Sequence, residues 1–207
     1  ISNKSKGIIV KKLLTFAVLL FSFESSLFAA QNLIELAPNE VLISDFRQER
    51  HLNGFKNPIK SKGYVVLTPK KGLVWETKEP FQTRLIINDR GITQFVQGQN
   101  TLYLPTSKFP GLMKLQSVFE ASLQGDWLLL EERFGVTPVY VDDKWMLSFS
   151  ADNVGKDIQF KEIKITGARF VENVEIRRPN GDLDVIYFFG HKIKKSSSRL
   201  DVNGAEK

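Results

Sequence analysis

The fold is decided by residues 46–81, which read FRQERHLNGFKNPIKSKGYVVLTPKKGLVWETKEPF. Two runs within this stretch, 63–68 and 72–77, have the length and side-chain alternation of β-strands, and Pro69 with two lysines separates them. Glycines and prolines interrupt the rest of the stretch as turns do. It contains no paired cysteines, no metal-ligand spacing and no glycine-rich phosphate loop. The stretch therefore predicts the first wall of a curved antiparallel sheet and gives no sign of catalysis.

The first thirty residues have the pattern of an export signal. A pair of lysines precedes an apolar run at 13–23, which is too short to cross a bilayer comfortably. We expect cleavage near Ala29 or Ala30, and the alternative of an uncleaved anchor helix is disfavoured because Glu24 interrupts the run. The predicted organisation is a signal peptide at 1–30, one domain at 31–190 and a basic, disordered tail at 191–207.

The composition indicates a folded domain without disulfides. The chain has 207 residues, of which 42% are hydrophobic and 16 are phenylalanine, so it can bury a substantial core. It has no cysteine, so the core alone must stabilise an exported domain. The formal net charge is +6, and four lysines and Glu24 give residues 1–30 half of it. The mild positive charge that remains suits an anionic membrane surface and does not indicate nucleic acid as a partner.

Most of the chain has the pattern of short antiparallel strands. Strands are predicted at 41–50, 64–68, 73–77, 84–88, 92–97, 127–134, 145–149, 158–166, 168–177 and 182–189. Residues 51–62 are predicted to be a loop or an irregular edge, and Asn180-Gly181 a type I′ turn. Nine to eleven strands joined by tight turns favour a meander over βαβ units.

One helix is predicted to begin near Pro110 and to end near Gly125. Its apolar positions at helical spacing are Leu112, Leu115, Val118, Phe119 and Leu123, with Met113 beside them. If the sheet curls without closing, this helix can cover its open mouth as a lid over an apolar pocket. The alternative is a solid core in which the helix simply packs, and periodicity alone favours that alternative.

The order of motifs in 46–81 resembles the LolA-like periplasmic lipoprotein carriers. The matching residues are Phe46, Gln48, Gly63, Leu73, Trp75 and Pro80, and a looser resemblance extends over residues 40–189. It implies a mainly β fold, an unclosed antiparallel barrel (a half-barrel) whose helical lid covers an apolar cavity. In that family an Arg before a Pro helps to hold the lid shut. Here Pro69 stands in that region, and Lys70 or Lys71 is the candidate substitute.

The resemblance also implies a function. Such a carrier binds the acyl chains of lipoproteins and moves them through the periplasm from an inner-membrane releasing complex to an outer-membrane acceptor. Carriage or sensing of another lipid, such as a polyene-type acyl cargo, stays open. We expect a monomer with no cofactor, no metal and no catalytic residues.

The residues expected to contact the acyl chain are apolar side chains of the sheet and of the lid. They are Phe46, Val65, Leu67, Leu73, Trp75, Leu85 and Ile87 from the first strands, Leu112, Met113, Leu115, Val118 and Phe119 from the helix, and Trp145 and Leu147 from a later strand.

An enzyme is the main alternative, and the residues argue against it. The carboxylate pairs 131–132 and 142–143 are adjacent in sequence, so in strands their members point to opposite faces. His51 and His191 are the only histidines, one in the predicted loop and one in the predicted tail. A metal site or a catalytic triad built from them is therefore not expected.

Overall fold

The structure is a computed structural model, and it describes residues 36–69, 71–108, 110–154 and 160–196. Within its helices, the side chains of residues 110–113, 115, 116, 119 and 154 are outside that description. The predicted signal peptide and its cleavage near Ala29 or Ala30 also lie outside it. No helix among the described residues is long and apolar enough to span a bilayer.

The described residues form one eleven-stranded sheet in the order β6-β5-β4-β3-β2-β1-β11-β10-β9-β8-β7. The strands are β1 Glu40–His51, β2 Ile59–Thr68, β3 Gly72–Glu79, β4 Thr83–Asn88, β5 Gly91–Val96, β6 Gln99–Pro105, β7 Val139–Val141, β8 Lys144–Ser150, β9 Glu162–Gly167, β10 Val171–Arg177 and β11 Leu183–Lys195. All neighbouring strands are antiparallel. Because β6 and β7 remain unpaired edges, the sheet is an unclosed barrel, as predicted.

The described residues contain three helices, of which two connect the halves of the sheet and a short third one follows β8. They are α1 Pro110–Gln124, α2 Trp127–Phe134 and α3 Ala151–Val154. The chain runs outward from β1 to β6, passes through α1 and α2, and returns from β7 to β11 beside β1. The helix predicted between Pro110 and Gly125 is thereby confirmed. The mainly β fold with a helical lid is also confirmed.

The prediction of a strand at 127–134 was wrong, because this segment is helix α2. The Asp126 side chain caps its start by accepting the Leu129 N–H at 3.1 Å, and Gly135 at φ +63° ends it. Leu130 and Phe134, four residues apart, are its buried side chains. The continuous run of leucines has no strand-like alternation. The capping residues Asp126 and Gly135 are the sequence features that indicate a helix.

The predicted disordered tail at 191–207 begins too early, because β11 continues to Lys195. This part of β11 pairs with the start of β1, where Lys195 lies opposite Glu40. Backbone pairing does not require apolar side chains, so the lysine-rich composition misled the prediction. The ring of His191 lies 2.7 Å (Nδ1) from the buried Ser44 Oγ. Residues 197–207 are outside the described part of the chain.

Two turns differ from the sequence prediction. The pairing of β1 with β2 extends to Arg50 opposite Ile59, so the loop spans 52–58 rather than 51–62. Between β10 and β11, Gly181 has φ +90° but Asn180 has no positive φ, and the Gly181 N–H donates to Arg178 O at 3.1 Å. This is a type I turn followed by a glycine bulge rather than a type I′ turn, because Pro179 favours the ordinary turn.

The two faces of the sheet are both apolar near its centre. On the inner face, which the helices cover, the largest cluster joins Leu42 and Phe46 to Val118 of α1 and Leu130 of α2. On the outer face, a smaller cluster contains Val41, Val66, Val74 and Ile86. Successive side chains along β1 to β4 point to alternate faces, which separates the two clusters. The strand register therefore determines which side chains reach the helices.

Candidate functional site

A cavity of about 310 Å³ lies between the inner face of the sheet and α1. Its apolar wall is formed by Leu67, Leu73, Trp75, Leu85, Ile87 and Ile92 of β2 to β5, Ile176 and Ile186 of β10 and β11, and Leu123 of α1. The volume lies at the lower end of the range found for small-molecule sites. The core beneath α1 is therefore not completely filled, in contrast to the solid core that periodicity alone favours.

The strand register aligns the wall of the cavity. Leu67 pairs with Leu73, Leu73 with Ile87, and Ile87 with Ile92, so one apolar row crosses four strands. Cross-strand neighbours on one face lie close enough to form a continuous surface. The wall is therefore built by strands that are consecutive in sequence, which explains why alternation predicts most of it.

Trp75 forms the part of the wall that borders the buried core. Its ring centroid lies 4.6 Å from that of Phe46 and 5.8 Å from that of Phe188. Phe46 is fully buried and faces Gly63 on β2. A Cβ on Gly63 would lie 1.9 Å from the carbonyl oxygen of Glu76, so only glycine fits beside this aromatic group. The motif in 46–81 thus places the Trp75 ring between the core and the cavity.

The predicted contact residues divide into three groups. Leu67, Leu73, Trp75, Leu85 and Ile87 line the cavity. Phe46, Val65, Val118, Trp145 and Leu147 are instead buried in the inner core and do not line it. The side chains of Leu112, Met113, Leu115 and Phe119 lie outside the described part of the chain.

Trp145 and Leu147 lie on β8, at the other half of the sheet from the apolar row. The indole N–H of Trp145 donates to Ala168 O at 2.5 Å, and its ring packs edge-on to Trp127 at 4.8 Å. Both contacts are internal to the core. Alternation correctly places these side chains on the inner face, but it does not distinguish a cavity wall from filled core.

The candidate substitutes for the lid contact near Pro69 are Lys70 and Lys71. Lys70 lies outside the described residues, and Lys71 is exposed in the β2–β3 turn, where its backbone N–H donates to Thr68 O at 3.1 Å. Pro69 borders a second groove of about 940 Å³ that runs along α1 and α2. Asp126 and Arg133 also line this groove, so it lacks the apolar enclosure of the smaller cavity.

One end of the cavity is polar, which the sequence did not predict. Gln48, Arg50 and Thr77 line this end. Behind them lies Asp184, whose side chain is only 2% exposed. The Asp184 carboxylate accepts hydrogen bonds from Gln48 Nε2 at 3.0 Å, Arg50 Nε at 2.6 Å and Arg178 Nη2 at 2.5 Å. A buried carboxylate with this many donors is an organising group rather than an unpaired charge.

Opposing effects set the pKa of Asp184. Burial by itself raises the pKa of this carboxyl, but the hydrogen bonds and charges of Arg178 and Arg50 outweigh burial and hold it below the ordinary value. The carboxylate therefore stabilises the native state fully above its unfolded pKa of about 3.9, and this contribution is lost as the pH falls through the lower folded pKa.

We predict that Asp184→Asn lowers the free energy of unfolding at pH 7 by about 1 to 3 kcal/mol, because two arginines lose a charged acceptor. The loss stays below that of breaking a fully buried ion pair, since Arg50 and Arg178 are 46% and 36% exposed and can be hydrated. Urea denaturation of both proteins from about pH 7 to about pH 2 checks this prediction. The difference should shrink in acid, and a difference that grows in acid would contradict the assigned charge state.

An unclosed antiparallel barrel with an apolar cavity beneath a helix defines a lidded half-barrel. The model of the family "Outer membrane lipoprotein carrier protein LolA-like" matches residues 24–193. The chain belongs to this family, and the resemblance found in the sequence is confirmed. A search of curated proteins found no match.

The solved structures that match this chain have low sequence identity to it. A LolA superfamily protein of Nitrosomonas europaea is 9% identical, with 80% of this chain and 91% of that chain covered and a TM-score of 0.46. A putative outer membrane lipoprotein-sorting protein domain of Vibrio parahaemolyticus is 5% identical, with coverages of 83% and 93% and a TM-score of 0.41. A DUF1329 family protein of Desulfovibrio piger is 11% identical, with coverages of 82% and 92% and a TM-score of 0.37.

Proposed function

We propose that this protein is a carrier that holds an acyl chain in the cavity beneath α1. The observation that supports this most directly is the apolar row of Leu67, Leu73, Ile87 and Ile92 on the cavity wall, which has no polar side chain along it. In line with the description of its family, the protein takes the acyl chains of lipoproteins and moves them from the inner to the outer membrane. It binds its cargo and does not transform it.

The free energy of burying an acyl chain explains why a helix over the cavity suits a carrier. Complete burial of a chain of ~16 carbons is worth at most about 13 kcal/mol, at about 0.8 kcal/mol per methylene. A permanently open and fully complementary site of that strength would not release its cargo. Buried side chains of α1, among them Val118 and Leu123, belong to the same apolar core as the cavity wall. Contacts of α1 with the sheet therefore compete with the cargo and lower its net affinity.

The place and partners of the carrier follow from the same proposal. Removal of residues 1–30 on export leaves the domain in the periplasm. There it meets an inner-membrane complex that releases the cargo and an outer-membrane acceptor that receives it. The protein acts as a monomer, because loading and delivery each require the cavity mouth to face a different partner.

Another acyl lipid is the second candidate cargo. The cavity of about 310 Å³ suits a single chain, and its polar end offers Gln48 and Arg50 to a head group. A cargo with one chain and a polar head fits these two features together. Carriage of the cargo, rather than its identity, is the part of the proposal that both candidates share.

Native mass spectrometry of protein purified from the periplasm tests the proposal. We expect a population whose mass exceeds that of the mature chain by an acyl species, and we expect organic extraction to remove that excess. Refolded protein without contact with lipid is the control and should show the bare mass. Repeated absence of any adduct, together with no uptake of added long-chain lipid, would contradict carriage.

A further inference from the structure

We propose that the cavity is built for a single-chain amphiphile with an anionic head group, which Arg50 binds at the polar end. This inference depends on the carrier function proposed above, because the acyl chain must occupy the cavity for its head to reach Arg50. It specifies the head group of the cargo, which the apolar wall does not specify, and it favours the second candidate cargo over a lipoprotein.

Arg50 has the geometry of a head-group ligand. It lines the cavity near the end of β1, and its side chain is 46% exposed. Its Nε donates to Asp184 Oδ1 at 2.6 Å, and this uses only one of the five N–H donors of a guanidinium. The Nη groups of Arg50 form no hydrogen bond or ion pair among the described residues. They remain available as the planar pair of donors that binds a carboxylate or phosphate oxygen pair.

The surroundings of Arg50 favour an anion and fix the guanidinium. Asp184 binds Arg50 and Arg178 through different carboxylate oxygens, so Arg50 shares its one carboxylate partner with a second cation. Gln48 donates to the same carboxylate at 3.0 Å and adds no charge. Because Asp184 is buried, Arg50 is held before the ligand arrives, which reduces the entropy lost on binding.

The far end of the cavity wall from Arg50 is apolar. Arg50 pairs with Ile59 at the start of β2, whereas Leu67 near the end of β2 begins the apolar row that crosses to Ile92. An anionic head therefore lies at the Arg50 end and the acyl chain lies along the apolar row, which gives the ligand one orientation.

A pair of lipids that differ only in head charge tests this inference. Tetradecanoate and tetradecan-1-ol have the same chain, and displacement of a fluorescent acyl probe gives the affinity of each. At pH 8 we expect the full protein to bind the acid about tenfold more tightly than the alcohol, as expected for a charge-assisted contact at a half-exposed site. Arg50→Gln should remove that preference.

Arg47→Gln is the matched control. Arg47 lies on the same strand but on the outer face, where its guanidinium lies 4.7 Å from the centroid of the Tyr187 ring. This variant should keep the tenfold preference. If Arg50→Gln does not fold, Arg50→Lys retains the charge without the planar pair of donors and should show a preference reduced to a few-fold.

The outcomes separate this inference from the carrier function. Equal affinity for acid and alcohol in the unaltered protein, or an undiminished tenfold preference in the Arg50 variants, overturns the head-group assignment and leaves acyl carriage standing. Binding of neither lipid overturns both. A further experiment measures the binding of both lipids in the presence of inorganic phosphate. If phosphate weakens the binding of the acid but not of the alcohol, it supports an anion site at Arg50, whichever oxyanion the natural head group carries.

Discussion

A Leu85→Trp variant is expected to bind acyl chains at least tenfold more weakly than the unaltered protein. Leu85 is half-buried and lines the cavity, so the larger ring takes part of a space of only about 310 Å³. Exclusion of two methylenes costs about 1.6 kcal/mol at about 0.8 kcal/mol each, which exceeds a tenfold change in affinity. Displacement of a fluorescent acyl probe measures the loss. The melting temperature should change little, because the ring fills empty space instead of overpacking a filled core.

The matched control places the same ring on the other face of the sheet. Thr93 on β5 pairs with Ile86 of β4 on the outer face. Thr93→Trp should therefore keep the affinity of the unaltered protein. An equal loss in both variants would mean that sheet distortion causes it, and unchanged binding by Leu85→Trp would mean that the chain does not lie in this cavity.

Phe46→Ala is expected to lower the free energy of unfolding by about 3 to 5 kcal/mol. Phe46 is completely buried and its ring packs against Trp75 at 4.6 Å. Truncation removes the ring and leaves a void where the aromatic neighbours cannot easily close, since Gly63 opposite has no side chain. Urea denaturation followed by circular dichroism measures the change.

A phenylalanine from the same stretch serves as the control. Phe81 lies in the β3–β4 loop with 73% of its side chain exposed. Phe81→Ala should change the free energy of unfolding by less than about 0.5 kcal/mol. A loss below about 1 kcal/mol for Phe46→Ala would show that the ring is not part of a close-packed core.

The parts of the fold that sequence predicts are those encoded by local patterns. Alternation in the first strands places Leu73 with Trp75 and Leu85 with Ile87 on single faces, and the register then joins them across neighbouring strands. Helical spacing after Pro110 predicts α1 with almost the bounds it has. These signals are local because each depends only on the direction in which successive side chains point.

The polar end of the cavity could not be predicted in this way. Gln48 and Arg50 are 136 and 134 residues from Asp184 in the chain. Only the pairing of β1 with β11 brings them together, with Arg50 opposite Asp184. Read alone, Arg50 is one charged residue beside a predicted loop, and Asp184 is a polar residue in a predicted strand. The juxtaposition depends on topology, for which the sequence contains no local signal.

Residue composition also gave wrong predictions where backbone pairing, rather than side-chain polarity, determines whether a segment is a strand. The lysines of 191–195 suggested a solvated tail, yet β11 continues through them along β1. Likewise, turn-forming residues up to Ser61-Lys62-Gly63 suggested a loop or irregular edge, although Lys60 pairs with Glu49 and lies 3.5 Å (Nζ) from its Oε1. Lys60, Lys62, Lys192 and Lys194 are tolerated because they alternate onto the outer face of the sheet.

Quenching of Trp75 fluorescence by an acyl chain that carries bromine atoms tests the central claim most directly, because bromine quenches only on contact. Trp75 lines the cavity, whereas Trp127 and Trp145 pack edge-on against each other at 4.8 Å and do not line it. With the brominated chain at saturation, we predict strong quenching in the unaltered protein, which the unbrominated chain does not produce. The Trp75→Phe variant should bind the chain and lose most of that quenching. Saturating binding that leaves Trp75 emission unchanged, or quenching that persists in Trp75→Phe, would contradict an acyl chain in the cavity beneath α1.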